Sequence, residues 1–572
     1  MRILLVASAN NSLTQRVGAE LRDRGHETAL AEVADGDDIV RAVEEHRPGL
    51  VLAPMLRTVI PREVWSRHLC LVVHPGPPGD RGPSSLDRAI LDGAAEWGVT
   101  VLQAVAEMDA GDVWASAACP LPPLAKSDLY RGEVSDAAVE AVLLAVERAT
   151  SGTHRPLPQD APGGRAPGTG TRPYLTQRER ALDWTKDTTE TVLRALRAAD
   201  SQPGVLDRLL GGDWYLHGGH PEDTLRGTPG ALVATRDGAV CRATADGAVW
   251  IPELRPRRTP GGPAAYKLPA ALALSRAGVL PDLPEVPAPP LDPGLPGPGR
   301  TWRDIAYHEE GAVGRLSFSF PGGAMSTGQC RRLLDAYRAA CERPTSVLVL
   351  GGGRDFFSNG IHLGVIEAAA DPGAESMANL EAMNDLVEAV LTTTDRLTVA
   401  AVGGNAAAGG VMLALAADEV WCRSGSVLNP HYRRMGLYGS EYWTYSLPRR
   451  TGAERARRLT EEALPVTART ALRLGLADRI ADCAPAEFTG SVTRSAGRLA
   501  AFPATQRRIA GKKAALDAQR EVRPLSVYRA QETARMERIF ADPEAPYHRL
   551  RAAFVRKERP PAGLVAAGVP RC

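Results

Sequence analysis

Residues 69–84 read LCLVVHPGPPGDRGPS, an apolar run that passes directly into a loop rich in proline and glycine. A short run of Leu and Val bounded by turn residues predicts a buried strand. Because α/β sheets bind their ligands at the carboxyl ends of the strands, the pattern places the imidazole of His74 at a binding position. The loop that follows can turn its backbone N–H groups toward the same ligand.

On both sides of this stretch, residues 1–120 alternate between apolar strands and amphipathic helices. This alternation is typical of a mostly parallel α/β sheet. The first apolar run is too short for a secretory signal, so we predict that it is the first strand. The predicted elements are the strands Arg2–Ala7, Thr28–Glu32, Leu50–Ala53, Leu69–Val73 and Val99–Val105 and the helices Thr14–Arg24 and Asp38–His46.

The chain has 572 residues, which is too many for one hydrophobic core. Two stretches predict linkers by their composition: Thr153–Thr171 is rich in Gly, Pro and Thr, and Leu280–Arg300 is rich in Pro. We therefore predict an α/β domain at 1–165, a small β-rich subdomain at 172–270, a Pro-rich linker at 271–300, and a second α/β domain with carboxyl-terminal helices at 301–572.

The charge balance argues against several classes of partner. The chain has 68 Lys and Arg against 67 Asp and Glu, so no net field attracts nucleic acid or an anionic membrane. The stretch Thr398–Ala417 carries no charge and has the length of a membrane helix. Four glycines and one asparagine interrupt this stretch, so we predict a buried strand, turn and helix instead.

The cysteines and histidines show no convincing metal-ligand spacing. Eight cysteines are scattered from Cys70 to Cys572 without a Cys-x-x-Cys pair, which is typical of reduced thiols in a cytoplasmic protein. His217 and His220 have a spacing that zinc ligands can have, but no acidic residue is placed as a further ligand. We therefore predict that the protein has no metal site.

A first group of polar residues follows two of the predicted strands. His74 ends one strand, and Asp109 lies in the loop after Val99–Val105, within the run Met108–Asp112. A histidine and an aspartate on adjacent strand ends can form a general base with its orienting carboxylate. The alternative is that His74 is a packed or capping residue, which is the more frequent role of a lone histidine after a strand.

The spacing of this group resembles that of the folate-dependent formyltransferases, such as methionyl-tRNA formyltransferase. The likeness covers residues 1–265, and it implies that His74 and Asp109 are catalytic. The matching residues are His74, Arg81-Gly82, Gly98-Val99-Thr100 and Asp109-x-Gly111-Asp112, with Tyr174, Asp183-Trp184 and Arg194–Gly204 similar to the smaller carboxyl-terminal domain. The implied ligands of 10-formyltetrahydrofolate are Ser8, Asn10, Arg81, Leu102, Gln103 and Asp112.

One position departs from that family. The family has an asparagine two residues before the histidine, and this chain has Val72 there. Loss of one donor to a developing oxyanion typically costs about 2.7–4 kcal/mol. Either another group replaces this donor or the acceptor of the formyl group is more reactive than an amine, and a thiolate meets the second condition.

Two further glycine-bearing turns follow predicted strands in the second half of the chain. They are Phe356–Leu363, which reads FFSNGIHL, and Ala400–Gly410, which reads AAVGGNAAAGG. Two such turns can present two backbone N–H groups at one point, which is the arrangement of an oxyanion hole. The alternative is a pair of ordinary tight turns where helices pack closely against strands.

This pair of turns resembles the crotonase, or enoyl-CoA hydratase/isomerase, family, and the likeness runs from about residue 303 to residue 478. It implies a coenzyme A thioester whose carbonyl oxygen accepts hydrogen bonds from the backbone N–H groups of Ile361 and Gly409. Basic residues that could hold the CoA phosphates are Arg449 and Arg450, for which the alternative role is a solvated helix face.

The departures from the crotonase pattern concern its two catalytic glutamates. The corresponding positions are Met412 and His431, so ordinary addition of water to a double bond is disabled. Tyr432 and Glu441 lie in the following loop and are the new candidate groups. Their alternative role is a packed aromatic turn with a solvated carboxylate.

A formyltransferase fused to a crotonase is the arrangement of the HypX-type hydrogenase maturation factors, which the chain resembles over nearly its whole length. Asn-Pro-His-Tyr at 429–432, Tyr-Gly-Ser-Glu-Tyr-Trp-Thr-Tyr at 438–445 and Leu-Pro-Arg-Arg at 447–450 look like that family's signature. The resemblance implies a formyltransferase-type open parallel sheet domain with a small β-rich subdomain, followed by a crotonase-type α/β domain with carboxyl-terminal helices.

The resemblance further implies a two-site enzyme. Formyl passes from 10-formyltetrahydrofolate to coenzyme A, with His74 and Asp109 assisting, and formyl-CoA then loses carbon monoxide, with Tyr432 and Glu441 assisting. The carbon monoxide becomes a ligand of nickel–iron hydrogenase, and hydrogenase maturation proteins are the expected partners.

Two alternatives to this enzyme stay open at this point. One is a folate-to-CoA formyltransferase whose second domain only binds or hydrolyses the thioester. The other is a non-catalytic scaffold for hydrogenase assembly, which the loss of both hydratase glutamates and the presence of Val72 favour. The retention of His74, Asp109, Tyr432 and Glu441 favours an enzyme.

Overall fold

The computed structural model describes residues 1–161, 165–166, 168–289, 291, 300–351, 354 and 356–559. Within these residues the chain forms two compact units. The first unit takes its residues from 1–183 and 190–206, and the second takes its residues from 184–189 and from 207 onward.

The first unit alternates strands with helices. Its elements are β1 (Arg2–Ala7), α1 (Ser12–Asp23), β2 (Glu27–Glu32), α2 (Gly36–His46), β3 (Leu50–Met55), α3 (Arg62–Trp65), β4 (Cys70–His74), α4 (Ser85–Leu91), β5 (Glu96–Gln103), β6 (Val113–Pro120), α5 (Lys126–Arg131), α6 (Glu133–Ser151) and α7 (Thr189–Ala199). The strands form one six-stranded sheet in the order β2-β1-β3-β4-β5-β6. The strands β2, β1, β3 and β4 are parallel, whereas β5 and β6 are antiparallel to their neighbours. The predicted α/β fold is confirmed, and its parallel part consists of the first four strands.

The central strands of this sheet are buried over nearly their whole length. In β1 every residue after Arg2 is buried, and β3 is buried from Leu50 to Pro54. Parallel strands that are covered on both faces require such continuous apolar runs, whereas a sheet with one wet face shows alternation. The apolar runs were therefore the strongest signal in the sequence, and the bounds predicted for the first strand are confirmed.

The direction of β5 changes how the first candidate site is assembled. Since β5 runs antiparallel to β4, His74 lies opposite Thr100, and the last residue of β5, Gln103, lies opposite Leu71. The expectation that Asp109 follows a strand end beside His74 is therefore wrong. The loop after β5 instead folds back and brings Asp109 to the imidazole.

The two predicted linkers are partly folded where the structure describes them. In the first, Leu157 pairs with Val113 and Thr171 pairs with Arg81, while residues 162–164 and 167 lie outside the described residues. In the second, predicted at 271–300, residues 271–276 belong to a helix, and Glu285 forms a bridge with Thr235. Residues 290 and 292–299 lie outside the described residues. Proline and glycine allow extended backbone, and extended backbone can pair with an open strand edge as well as span two domains.

The segment from residue 205 to residue 276 is the small β-rich part of the chain. Its elements are β7 (Val205–Leu209), β8 (Gly212–His217), β9 (His220–Glu222), β10 (Leu232–Arg236), β11 (Ala239–Ala243), β12 (Ala248–Ile251), β13 (Glu253–Pro256), β14 (Leu268–Pro269) and α8 (Ala270–Arg276). The strands form two four-stranded sheets, with the orders β10-β11-β12-β9 and β14-β13-β8-β7.

The remainder of the second unit is an α/β structure followed by helices. Its elements are β15 (Ile305–Glu310), β16 (Val313–Phe318), α9 (Thr327–Cys341), β17 (Val347–Gly351), β18 (Phe356–Ser358), α10 (Leu363–Ala368), α11 (Pro372–Leu391), β19 (Leu397–Val402), β20 (Asn405–Ala407), α12 (Gly409–Leu415), β21 (Glu419–Arg423), β22 (Val427–Asn429), α13 (Trp443–Thr451), α14 (Ala453–Glu462), β23 (Val466–Thr467), α15 (Ala468–Leu474), β24 (Arg479–Ala481), α16 (Phe488–Ala501), α17 (Ala504–Val522), α18 (Leu525–Ala541) and α19 (Pro546–Arg556). Short 3₁₀ turns occupy Pro321–Gly323, Tyr432–Met435 and Pro485–Glu487.

Two sheets organise this part of the chain. One has six strands in the order β15-β16-β17-β19-β21-β24, and the other has four in the order β18-β20-β22-β23. The uncharged stretch Thr398–Ala417 supplies β20 and α12 and nearly all of β19. It lies in the core, as predicted: most of its apolar side chains belong to two buried clusters. No helix in the described part of the chain is both long enough and apolar enough to cross a membrane.

The start of α12 packs directly on the end of β18. A Cβ atom added to Gly410 would overlap the carbonyl oxygen of Ser358. A backbone carbonyl cannot move aside as a flexible side chain can, so this position accepts only glycine. The contact brings the two glycine-bearing turns predicted from the sequence together.

We predict that Gly410→Ala lowers the free energy of unfolding by about 1–3 kcal/mol, because overpacking forces the backbone apart. Gly497→Ala is the matched control: Gly497 lies on α16 with nothing within 4 Å of an added Cβ, and alanine there should stabilise the helix by roughly 0.5–1 kcal/mol. Urea unfolding of both variants measures the difference. Equal stability of the two variants would contradict the close contact.

Candidate active sites

The imidazole of His74 lies between two carboxylates in the first unit. His74 is the last residue of β4, and both His74 and Asp80 are buried. The Nε2 atom lies 3.0 Å from Oδ2 of Asp80, and Nδ1 lies 3.6 Å from Oδ1 of Asp109. The structure thus brings together the predicted pair, His74 and Asp109, and adds Asp80, which the sequence pattern did not single out.

Asp80 stays ionised beside the imidazole. Burial alone would raise the pKa of Asp80, but hydrogen bonds from His74, Ser85 and Arg172 together lower it. The Nη2 atom of Arg172 lies 3.1 Å from Oδ1 of Asp80. A Cβ atom on Gly76 would overlap both Asp80 and His74, so the glycine of His-Pro-Gly makes room for this pair. The hydrogen bond from Nε2 to this charged carboxylate holds the imidazole in one orientation.

Hydrogen bonds from Gln159, which was not predicted from the sequence, hold the loop that carries Asp109. Asp109 has a φ of +57°, a strained value for a residue with a side chain. The Nε2 of the buried Gln159 donates to the carbonyl oxygens of Asp109, at 2.8 Å, and Gly111, at 2.7 Å. Arg81 donates to Oε1 of Gln159 at 3.3 Å, and the N–H of Gly82 donates to Oδ2 of Asp109 at 3.2 Å. Gln159 was missed because it lies in a stretch that the composition predicted to be a linker.

Two of the predicted folate ligands lie at the same edge of the sheet as His74. Ser8 and Asn10 follow β1, and parallel strands end at a common edge. The Oγ of Ser8 accepts from the backbone N–H of Arg57 at 2.9 Å, and the carbonyl of Asn10 accepts from Gln15 at 3.0 Å. These contacts order the loop after β1 beside the candidate site.

Two further predicted folate ligands, Leu102 and Gln103, end β5, and a third, Asp112, lies in the loop that follows. Leu102 is buried opposite Val72, and the side chain of Gln103 accepts from the indole N–H of Trp114 at 3.2 Å. The carbonyl of Asp112 accepts from the backbone N–H of Gln103 at 3.0 Å. Leu102 and Gln103 thus lie two and three residues beyond Thr100, which is opposite His74, and Gln103 is bonded to the loop that carries Asp109.

In the second unit, the two glycine-bearing turns meet. A Cβ atom on Gly360, whose φ is +79°, would lie 3.2 Å from the backbone nitrogen of Gly409. Gly409 is the first residue of α12, where backbone N–H groups lack helical acceptors. Neither the N–H of Ile361 nor that of Gly409 donates to any residue that the structure describes. Two free N–H groups at neighbouring turns are the requirement of an oxyanion hole.

The carboxylate of Glu441 lies directly over this point. A Cβ atom on Gly409 would lie 3.0 Å from both carboxylate oxygens of Glu441. The hydroxyl of Tyr432 donates to Oε2 of Glu441 at 2.6 Å, and both side chains are buried. The structure thus brings four predicted residues together: Ile361, Gly409, Tyr432 and Glu441.

The surroundings of Glu441 favour the protonated form of its carboxyl group. Burial raises the pKa of Glu441, and hydrogen bonds from Tyr432 and Ser440 only partly oppose this effect. Burial and the charge of Glu441 also raise the pKa of Tyr432 well above its usual value, so the phenol keeps its proton. A carboxylate whose pKa moves toward neutrality is suited to general acid–base chemistry.

Backbone strain is concentrated at Glu441 and Tyr442, which both have a φ of +59°. Such strain persists only where neighbours enforce it, and it is frequent at functional sites. Oδ1 of Asn384 accepts from the N–H of Glu441 at 2.9 Å, and Glu532 accepts from the N–H groups of Tyr442 and Thr444 at 2.9 and 2.8 Å. Asn384 and Glu532 were not predicted, because both lie on helices with other polar and charged residues and their partners are distant in sequence.

The other polar groups near the turns have structural partners. Nδ1 of His362 accepts from the N–H of Val365 at 3.1 Å and caps α10. Nδ1 of His431 lies 2.9 Å from the carbonyl of Asn429. Met412 is fully buried in the core, so the position of one hydratase glutamate is filled by an apolar side chain.

The two arginines predicted to bind CoA phosphates differ in how they are held. Arg449 stacks on the ring of Tyr445 and donates to its hydroxyl. Arg450 donates to the carbonyl of Gly475 at 2.9 Å and forms an ion pair with Asp478. The guanidinium of Arg450 is thus held by a carbonyl and a carboxylate within the fold. That of Arg449 contacts a neutral tyrosine and is the better placed of the two to bind a phosphate.

Three family models match the chain. The Formyl transferase model matches residues 2–146, the Formyl transferase C-terminal domain model matches 174–261, and the Enoyl-CoA hydratase/isomerase model matches 311–561. The fold and the two sites thus define a formyl transferase joined to a crotonase-type domain.

Proteins with the same combination of domains match nearly the whole chain. The hydrogenase maturation factor HoxX of Bradyrhizobium diazoefficiens is 45% identical over 97% of this chain and 95% of its own length. The crystal structure of HypX from Aquifex aeolicus in complex with tetrahydrofolic acid is 41% identical, with a TM-score of 0.92 over 98% of this chain and 97% of that one. A methionyl-tRNA formyltransferase of Roseiflexus castenholzii is 32% identical over 29% of this chain and 54% of its own length. The chain belongs to the HypX/HoxX family of hydrogenase maturation factors.

The buried Glu532 predicts how stability depends on pH. Burial raises the pKa of Glu532 to about 7, aided by the charge of Glu441 and opposed by hydrogen bonds from Thr444 and Tyr442. A carboxyl whose pKa is raised in the folded state stabilises the fold below its ordinary pKa, and this contribution is lost as the pH rises through about 7. The free energy of unfolding should therefore fall by roughly 3 kcal/mol between pH 4.5 and pH 8 through this group.

Glu532→Gln cannot titrate, so its stability should fall less over the same range. Urea unfolding of both proteins at several pH values gives the difference, in which all other titrating groups cancel. Parallel pH profiles for the two proteins would show that Glu532 is already ionised at low pH.

Proposed function

We propose that the chain transfers the formyl group of 10-formyltetrahydrofolate to the thiol of coenzyme A and then releases carbon monoxide from formyl-CoA. The product would be the carbon monoxide ligand of nickel–iron hydrogenase. The observation that carries this proposal is the buried pair of Tyr432 and Glu441 over the free N–H groups of Ile361 and Gly409. Family membership and the tetrahydrofolate complex of the Aquifex aeolicus relative support folate as the formyl donor.

In the first step, His74 takes the proton of the CoA thiol, and the resulting thiolate forms a bond to the formyl carbon. The bond from that carbon to the folate nitrogen then breaks, and the proton returns from His74 to that nitrogen. Nε2 of His74 donates to Asp80, so Nδ1 is the ring nitrogen that takes the thiol proton, and Asp80 together with Asp109, 3.6 Å from Nδ1, stabilises the imidazolium. A thiolate compensates for the apolar Val72, because it attacks without the full set of oxyanion donors.

Binding of the folate is assigned to the loop edge beside His74. Ser8, Asn10, Arg81 and Asp112 remain the proposed ligands near this edge. Leu102 and Gln103, at the end of β5, are proposed ligands as well, because the backbone N–H of Gln103 donates to the carbonyl of Asp112.

In the second step, the formyl oxygen of formyl-CoA accepts from the N–H groups of Ile361 and Gly409. Glu441 removes the proton from the formyl carbon, and the carbon–sulfur bond breaks. The sulfur receives a proton through Tyr432, so the products are carbon monoxide and free CoA, without oxidation or reduction. Arg449 is the proposed contact to a CoA phosphate.

We further infer that this chemistry takes place in the cytoplasm beside other hydrogenase maturation proteins. Membership of the family supports such partners. Burial raises the pKa of the Cys70 and Cys241 thiols to about 12, so these two thiols stay protonated and are poor nucleophiles.

His74→Ala should lower the consumption of 10-formyltetrahydrofolate by about 10²–10⁴-fold, because the general base of the first step is removed. His26→Ala, on the turn before β2 in the same unit, is the control and should keep the wild-type rate. The loss of formyl from the folate in the presence of CoA is followed by absorbance. Wild-type consumption by His74→Ala would refute the assignment of the base.

Glu441→Gln should stop the release of carbon monoxide, with a loss of about 10²–10⁴-fold, while formyl transfer to CoA continues. The variant keeps the shape of the side chain and its contact with Tyr432 but cannot take a proton. Formyl-CoA, or the formate from its hydrolysis, should then accumulate. Carbon monoxide is trapped with reduced haemoglobin, and the thioester is measured by chromatography.

Glu419→Gln is the matched control for this experiment, because Glu419 forms an ion pair with Arg508 away from the two turns. It should release carbon monoxide at the wild-type rate. If Glu441→Gln releases as much carbon monoxide as this control, another group near the turns, such as His431, must be the base. If the wild-type protein yields formate and no carbon monoxide, the second domain hydrolyses the thioester instead.

A further inference from the structure

Helix α11 buries three polar side chains, and they differ in how they are bonded. Ser376 donates to the carbonyl of Pro372 at 2.6 Å and lies 2.9 Å from the hydroxyl of Tyr547. Asn379 uses both ends of its amide, donating to Met325 at 2.9 Å and accepting from His362 at 3.0 Å. Both residues are thus satisfied within the fold.

Asn384 is bonded at one end only. Its Oδ1 accepts from the N–H of Glu441 at 2.9 Å, and the side chain is 1% exposed. Among the described residues, its buried Nδ2 has no hydrogen-bond partner. A buried amide donor without an acceptor destabilises a protein, so such a group calls for an explanation. Leucine would fill the same volume without that cost.

Asn384 contacts the second candidate site through the backbone of Glu441. Glu441, which it contacts, has a φ of +59° and holds its carboxylate against the start of α12 at Gly409. The hydrogen bond from the N–H of Glu441 to Asn384 is therefore one of the contacts that keep the strained backbone in place. The unbonded Nδ2 belongs to the same amide as Oδ1, so it lies within a few ångströms of the backbone N–H of Glu441.

We propose that Asn384 has two roles in the second site: its Oδ1 positions Glu441, and its Nδ2 donates a hydrogen bond to the acyl oxygen of the bound CoA thioester. The acyl oxygen is the strongest acceptor that a formyl thioester carries. A third donor beside the N–H groups of Ile361 and Gly409 adds to the stabilisation of the charge that develops on this oxygen. This inference rests on the proposed function of the second site.

The first experiment measures ligand binding and does not depend on the release of carbon monoxide. The probes are acetyl-CoA, which carries an acyl oxygen, and CoA, which lacks one. For Asn384→Leu the Kd of acetyl-CoA should rise about tenfold, the value of one good hydrogen bond, while the Kd of CoA stays unchanged. A variant that is merely misfolded would bind both ligands more weakly. Equal effects on the two ligands would overturn the role of Nδ2.

The second experiment measures turnover of synthetic formyl-CoA, which bypasses the folate site. Asn384→Leu should lower the kcat for carbon monoxide release by at least about 10²-fold. Ser376→Ala, on the same helix and equally buried, is the control and should keep the wild-type kcat even if its melting temperature falls. A kcat for Asn384→Leu within about threefold of the wild-type value would overturn the inference. The absence of carbon monoxide from the wild-type protein would instead reject the proposed function, and the binding experiment would still decide the role of Asn384.

Discussion

The close packing of the carbonyl of Ser358 on Gly410 is the contact on which the second site depends. It fixes the turn that carries Ile361 against the first turn of α12, so the backbone nitrogen of Gly409 lies close to that turn. The absence of a side chain at Gly409 leaves that space open, and the carboxylate of Glu441 fills its far side. Backbone atoms of two strand ends and one helix thus define the geometry, and few side chains are needed to complete it.

The two sites control protons in opposite ways. At the first, hydrogen bonds from His74, Ser85 and Arg172 lower the pKa of Asp80 and keep its carboxylate charged. At the second, burial raises the pKa of Glu441, and the nearest polar partner is a neutral phenol. In the proposed function, the first arrangement suits transfer of a proton between two heteroatoms, and the second suits removal of a proton from carbon, where a high pKa increases basicity.

The sequence predicted the elements and residues that are marked by local pattern. Continuous apolar runs identified the buried strands, and motif spacing identified His74, Asp109, Tyr432 and Glu441 as candidates, which the structure arranges in two pairs. The direction of β5 could not be predicted, because an apolar run reads the same in either direction. The side chains that fasten these candidates were also missed, since their partners are distant in sequence: Gln159 is 50 residues from Asp109, and Asn384 is 57 residues from Glu441. Such contacts exist only once the chain has folded.

The bond between Arg172 and Asp80 spans 92 residues of chain. During synthesis, the strands of the first sheet and the imidazole of His74 leave the ribosome well before Arg172 does. The sheet can collapse early, because its strands lie within the first 120 residues. The nascent domain is then compact, but two contacts are still missing around His74. These are the hydrogen bond from Arg172 to Asp80 and the hydrogen bonds from Gln159 to the loop of Asp109. The residues that position the imidazole are thus made after those that form the sheet, so the site is completed only when synthesis has passed Arg172.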